Sequence, residues 1–279
     1  MSSGASSQQG FAEVNGARLY YEVAGEGPVV ALSHAGIADH RMWDDQFSVL
    51  AERYRVIRYD HRGFGQSSMP PSEYALYEDL HGLLRFLGVE RAALVGVSMG
   101  GSTVIDFAVS YPEMVSALVT VGAGLGGFST ESTPEEIAMF EQAEQAAAAG
   151  DLDRANDLEV HIWVDGPGRT PEMVNPSVRE RVREMNLIAL RRGGEHKQAT
   201  RREPVPPAND RLSAITAPTL VIVGDQDVSD ISLIADRIAA GIPDARKVVM
   251  RDTAHVPPME RPAEFNRLLL DFLAEHNGK

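Results

Sequence analysis

An apolar run, Ala92-Ala93-Leu94-Val95, enters Gly96-Val97-Ser98-Met99-Gly100-Gly101, and Thr103 to Ala108 then resumes with helical character. A buried strand that passes into a helix through one glycine-flanked serine is a nucleophile elbow. The turn is so tight that the serine takes a strained backbone conformation, and a side chain at Gly96 or Gly100 would strike neighbouring backbone. The Ser98 hydroxyl then stands clear at the carboxyl end of a strand. The helix behind it aims its first N–H groups at whatever collects there.

Such a strand needs a parallel sheet, and the flanking sequence supplies one. Residues 11–23 read as a hairpin turning at Asn15-Gly16, a strong short-range signal. Val29 to Ser33 is a continuous apolar run suited to a strand buried on both faces. Helical and strand-like segments then alternate: Trp43–Tyr54 and Tyr74–Leu87 as helices, Arg55–Asp60, Ala92–Val97 and Ala117–Val121 as strands. From about Gly124 to Leu212 the beat stops. Helical segments at 134–149, 151–164 and 176–192 fill the gap, with no convincing strand among them. Strand 218–223, helix 232–240, strand 247–250 and helix 262–276 close the chain. Alternation at this spacing predicts βαβ units on a mostly parallel sheet, interrupted once by helices.

At 279 residues the chain can bury a large core. Its net charge of −14 leaves no electrostatic footprint for nucleic acid or an anionic membrane. The basic pairs Arg191-Arg192 and Arg201-Arg202 read as solvated helix faces. The absence of cysteine excludes disulfides, thiolate catalysis and cysteine-ligated metals, and no H-E-x-x-H spacing suggests a metal site. Residues 1–10 carry no charged and apolar leader pattern and read as disordered, and no apolar run approaches membrane-spanning length. The expectation is a cytoplasmic enzyme, monomer or homodimer, acting on small molecules without metal or cofactor.

A serine hydroxyl becomes a useful nucleophile once an imidazole takes its proton and a carboxylate fixes that imidazole. Two later strand ends offer these groups. Gly224-Asp225-Gln226-Asp227 follows one, with Asp230 close behind, and Arg251-Asp252-Thr253-Ala254-His255 follows the last. Both lie at carboxyl ends of parallel strands, the edge where open α/β sheets gather their sites. His255 is the candidate base; Asp225, Asp227 and Asp230 compete as the acid.

The elbow, together with Tyr59-Asp60-His61-Arg62-Gly63-Phe64-Gly65-Gln66-Ser67, the Gly224–Asp227 turn and Ala254-His255-Val256-Pro257-Pro258-Met259-Glu260-Arg261-Pro262, resembles the α/β-hydrolase fold superfamily over residues 11 to 276, the insertion excepted. The resemblance implies an eight-stranded, mostly parallel sheet flanked by helices, with residues 11–124 and 213–279 as core and 125–212 as a helical lid after the sixth strand. It places the acid at the last position of the Gly-x-x-Asp turn, Asp227. It also implies an oxyanion hole from the Met99 N–H and one donor in the loop Ser33-His34-Ala35-Gly36-Ile37, Gly36 being preferred to Ala35. Ala35 stands where relatives usually have glycine. His34 is either a loop-holding histidine or a group in the substrate site, and Trp163 is the lid residue expected to line the pocket, among Met139, Phe140, Met185 and Leu187.

Gly122-Ala123-Gly124-Leu125-Gly126-Gly127 matches a dinucleotide fingerprint, but no helix begins at once and no second strand with its acid follows. The resemblance implies cofactor-independent hydrolysis of carboxylic esters or lactones through an acyl-enzyme on Ser98, and within the superfamily the chain looks most like lid-bearing carboxylesterases and 3-oxoadipate enol-lactonase-like enzymes. Carbon–carbon bond hydrolysis, perhydrolase activity and a ligand receptor without turnover are the alternatives. The serine at the elbow argues against dehalogenase, fluoroacetate and epoxide hydrolase chemistry.

Overall fold

Asn15 and Gly16 take φ of 48° and 76°, the mirror-image turn that suits the twist of two adjoining strands. They close a hairpin between β1 (Gln8–Val14) and β2 (Ala17–Ala24). The computed structural model describes residues 8–276. Within it β1 starts earlier than expected, since Gln8, Gln9 and Gly10 pair with Val23, Glu22 and Tyr21. The rest of the segment read as disordered, residues 1–7, lies outside the described residues.

Six further strands complete the main sheet: β3 (Val29–Ser33), β4 (Arg55–Tyr59), β5 (Ala92–Val97), β6 (Val115–Val121), β7 (Thr219–Gly224) and β8 (Ala245–Met250). The order across the sheet is β1-β2-β4-β3-β5-β6-β7-β8. β2 runs antiparallel to β1 and β4, and the pairs from β4 through β8 are parallel. Every residue of β5 and of β7 is buried, so these strands carry apolar residues on both faces.

The two faces divide the core. Leu94 and Leu118 point into one cluster with Leu80 and Leu84 of α2 (Leu76–Phe86), Phe107 of α3 (Met99–Ser110) and Ile234 and Ile238 of the helix Ser229–Gly241. Val95 and Val119 point into the other, with Leu50 of α1 (Asp44–Ala51) and Phe265, Leu269 and Phe272 of the closing helix Pro262–His276. Consecutive strand residues thus serve opposite layers, as the two-residue period of a strand requires.

Between β6 and β7 the chain builds α4 (Pro134–Ala148), α5 (Leu152–Val160), a π-helical turn at His161–Asp165 and α6 (Pro176–Arg191). Thr133 and Glu136 form a reciprocal capping box at the start of α4, which satisfies two of the helix's orphan donors. The helices Ser229–Gly241 and Pro262–His276 are α7 and α8. The expectation of no strand here needs one correction. Thr200–Arg201 pairs in parallel with Glu73–Tyr74, so α2 begins at Leu76 rather than Tyr74, and Arg201 lies on a short strand rather than a helix face. Local patterning could not show a two-residue pairing across more than a hundred residues of chain.

Candidate active site

Ser98 joins β5 to α3 with φ 55° and ψ −116°, a strained conformation for a residue with a side chain. Added Cβ atoms show why its neighbours are glycines. One at Gly96 would collide with the Gly100 carbonyl, and one at Gly100 with the Ser33 carbonyl of β3. The strain is held from the next strand, because the Ser98 N–H donates to Val121 O at 2.8 Å. Ser98 and Met99 stay partly exposed within this otherwise buried stretch.

The two later strand ends converge as the spacing implied. His255 Nδ1 lies 2.8 Å from Asp227 Oδ2 and 3.1 Å from Oδ1. Both side chains are almost fully buried, at 2% and 1% exposure. Asp227 Oδ1 also accepts from the Val228 N–H, which fixes the carboxylate's orientation. With Nδ1 as donor to Asp227, Nε2 is left as the ring's acceptor, and it is buried with no hydrogen-bond partner among the described residues. Asp225 is exposed and accepts only from Gln226 Nε2. Asp230 accepts a long hydrogen bond from Ser132. Of the three competing carboxylates, Asp227 alone reaches His255.

Gly122, at the end of β6, is a site residue that motif reading missed. Its φ is +51°, and a Cβ there would stand 3.2 Å from both Asp227 Oδ2 and His255 Nδ1. The glycine lets β6 close over the His–Asp pair. The run Gly122–Gly127 that mimicked a dinucleotide fingerprint leads into irregular chain, and α4 waits until Pro134.

The loop after β3 separates the two oxyanion candidates. The Ala35 N–H points at Met42 Sδ, 3.3 Å away, and is taken. Gly36 is partly exposed, and a Cβ on it would lie 3.8 Å from the Met99 Cβ. Gly36 therefore borders Met99, the residue after the elbow serine, while the Ala35 N–H is engaged elsewhere.

His34 is also corrected. It is fully buried, its Nδ1 donates to Ala35 O at 2.8 Å, and its Nε2 accepts the His61 N–H at 2.9 Å. No ring nitrogen remains for a substrate, and burial lowers its pKa, so it is a neutral brace between loops.

Trp163 packs directly on His255. Its ring lies 4.4 Å from the His255 ring, and its carbonyl accepts the His255 N–H at 3.1 Å. Phe140 of α4 backs it at 5.5 Å. What holds this π-turn in place is Arg169, a residue that carried no motif. Its Nη2 donates to Val164 O and to Glu260 Oε2, its Nε to Asp165 O, and its Nη1 to Asp252 O at 2.9 Å. Glu260 Oε1 in turn accepts the Ala254 N–H. One guanidinium thus ties the turn carrying Trp163 to the loop carrying His255. Burial outweighs that guanidinium at Glu260, whose pKa lies above the ordinary glutamate value.

A cavity of about 530 Å³ opens beside Gly36, floored by Phe64 and walled by α4, α5 and α6. A separate polar cleft of about 580 Å³ behind the His255 loop is lined by Arg169, Asp252, Glu260 and Arg261 and is part of the clamp. Asp39, His40 and Asp60 could approach a common metal ion. Their side chains are already engaged: His40 Nδ1 with Asp60 Oδ1, Asp60 Oδ2 with the Gln66 N–H, and Asp39 with Arg41. Among the described residues, no helix is long and apolar enough to cross a membrane.

The sheet order, the serine elbow and the buried His–Asp pair at the carboxyl ends of the strands define the class, and comparison agrees. The chain belongs to the α/β hydrolase fold family, whose pattern matches residues 28–262. It is 28% identical to a 2-hydroxy-6-oxo-6-phenylhexa-2,4-dienoate hydrolase of Comamonas testosteroni, over 92% of this chain and 91% of that one. It is 33% identical to a 2-hydroxy-6-oxononadienedioate/2-hydroxy-6-oxononatrienedioate hydrolase of Paraburkholderia phymatum, over 80% of this chain and 77% of that one. Among solved structures, the enol-lactonase of Burkholderia xenovorans superposes with a TM-score of 0.77 at 26% identity, covering 95% of this chain and all of that one. The protein is a hydrolase.

Proposed function

We propose that this hydrolase cleaves small carboxylic esters or lactones through an acyl-enzyme on Ser98. The observation that carries the reading is the buried His255, held through Nδ1 by Asp227 and left with a free Nε2 acceptor, on the same sheet edge as the strained serine. His255 takes the Ser98 proton as the hydroxyl oxygen bonds to the carbonyl carbon. The N–H groups of Met99 and Gly36 receive the oxyanion, the term that usually contributes most. His255 then returns the proton to the departing alkoxide, and water repeats the sequence on the acyl-enzyme. The helices between β6 and β7 act as a lid, with Trp163 against the base.

Two relatives bear names of dienoate hydrolases, which makes carbon–carbon hydrolysis by the same residues the second reading. Substrates so named carry carboxylates. The cavity beside Gly36 carries Glu144 and Glu159 against a single lysine, Lys197, which favours uncharged esters and lactones over anions.

Short-chain p-nitrophenyl esters should give a pre-steady-state burst equal to the enzyme concentration, absent in Ser98→Ala. Unchanged ester turnover in that variant would overturn the mechanism. Turnover confined to a 2-hydroxy-6-oxo-dienoate, with no ester or lactone cleaved, would decide for the second reading.

A further inference from the structure

The cavity beside Gly36 is lined by oxygen acceptors that no donor among the described residues fills. Asn186 of α6 is 2% exposed and lines the cavity. Its Nδ2 donates to Asn156 Oδ1 at 3.0 Å and to Glu159 Oε2 at 2.6 Å. Both amide hydrogens are thereby used, and the orientation of the amide is fixed. Its Oδ1 accepts no hydrogen bond among the described residues, and neither does Glu159 Oε1. Both residues line the cavity. Asn156 is fully buried and in turn donates to Arg183 O, so the arrangement is braced from behind.

Around these oxygens the walls are apolar, with Phe64, Leu152, Ala189 and Leu190 among them. The other titratable groups lining the same cavity are the exposed Glu144 of α4 and Lys197, with His196 next to Lys197 in the chain. A carboxylate and an amide oxygen, both held in place and both acceptors, call for a donor. An anion placed there would meet Glu159 instead.

We propose that Glu159 and Asn186 form a specificity subsite for one arm of the substrate, and that the arm ends in a hydrogen-bond donor, a hydroxyl or an ammonium. This deepens the ester hydrolase reading by naming the substrate class: esters whose acyl or alcohol part ends in a free hydroxyl or ammonium, with carboxylate-ended substrates disfavoured. Burial raises the Glu159 pKa against the hydrogen bond from Asn186. The ammonium preference should therefore weaken on acidification at higher pH than an ordinary glutamate would allow, while the hydroxyl preference persists.

The test uses two series of four to eight carbons: ethyl esters of ω-substituted acids and acetate esters of ω-substituted alcohols, each ending in methyl, hydroxyl, ammonium or carboxylate. In at least one series at pH 8, kcat/KM for the hydroxyl and ammonium members should exceed the methyl member by roughly 10-fold or more, the scale of one charge-assisted hydrogen bond, with the carboxylate member below all three. Glu159→Gln keeps an acceptor for Asn186 and should remove the ammonium-over-methyl ratio. Glu141→Gln, on the exposed face of α4 outside the cavity, should leave that ratio in place. The same order should appear in Kd for 6-aminohexanamide against hexanamide, titrated into the Ser98→Ala protein. Equal ratios in both series, or a preference untouched by Glu159→Gln, would overturn the subsite. An amide preference without any ester turnover would uphold the subsite and overturn the ester hydrolase reading instead.

Discussion

Arg169→Met tests whether the clamp between the π-turn and the His255 loop matters as much as its geometry implies. The guanidinium is 7% exposed and its partner Glu260 is 5% exposed. Removing the cation leaves a buried carboxylate without its counter-ion, and the carbonyls of Val164, Asp165 and Asp252 lose their donor. Breaking a buried pair from one side costs roughly 3–5 kcal/mol, which for a chain of this size corresponds to a fall in Tm on the order of 10 °C. The loss should depend on pH with a definite sign. Glu260 already has a raised pKa, and without Arg169 it rises further. The folded state then holds a proton that the unfolded state has released, so stability falls as pH rises through that window. The deficit against the wild type should be largest at pH 8 and smaller near pH 5. Differential scanning calorimetry at both pH values measures it. Combining Arg169→Met with Glu260→Gln should recover part of the loss, since the stranded charge is gone. At 25 °C, kcat should drop by roughly 10- to 100-fold, the usual consequence of an ångström-scale misplacement, because Trp163 and His255 lose their common support. A variant within 1 kcal/mol of wild type, with the same deficit at both pH values, would refute the clamp.

Three further outcomes follow from the site and the core. Asp227→Asn should lower kcat by roughly 10⁴-fold through loss of the His255 tautomer, whereas Asp225→Asn should change it by less than about 2-fold; steady-state ester kinetics decide, and the reverse order would move the acid. Gly122→Ala must fit a Cβ 3.2 Å from both partners of the His–Asp pair at φ +51°, so kcat should fall at least roughly 10-fold, with KM changing less, because the pair must shift. Asp106, buried in α3 facing Arg201 and Glu203, has its pKa pushed up to about 7 by burial first. Its folded state binds the extra proton between the ordinary aspartate range and pH 7, so its penalty is complete above pH 7 and absent at low pH. Asp106→Asn should accordingly raise Tm at pH 8 and leave it nearly unchanged at pH 4, and equal shifts at both would contradict the assignment.

Several parts of the site were legible because a local constraint wrote them. The elbow needs glycines where any Cβ would strike backbone, so Gly96, Ser98 and Gly100 announce themselves in sequence. Buried parallel strands must be apolar on both faces, which set β3, β5 and β7 almost to the residue. The order of strand ends, with the four motifs of the family, carried Asp227 and His255 to one edge of the sheet.

Other assignments needed distances between segments far apart in the chain. Asp225, Asp227 and Asp230 are chemically alike, and the residues by themselves left them in competition until His255 Nδ1 was found 2.8 Å from Asp227. Ala35 and Gly36 are adjacent, yet only packing shows that Met42 Sδ takes one N–H while Met99 lies beside the other. His34 became structural because His61 and its own loop occupy both ring nitrogens. Arg169, Gly122 and the Asn186–Glu159 pair have no motif at all, since their roles consist of contacts across layers. The sequence by itself determined the sheet and the serine elbow, because each rests on residues within one turn or one strand. The tertiary structure decided which carboxylate meets His255, which N–H lies beside Met99 and which residues wall the cavity, because hydrogen bonds and burial depend on which segments meet in space.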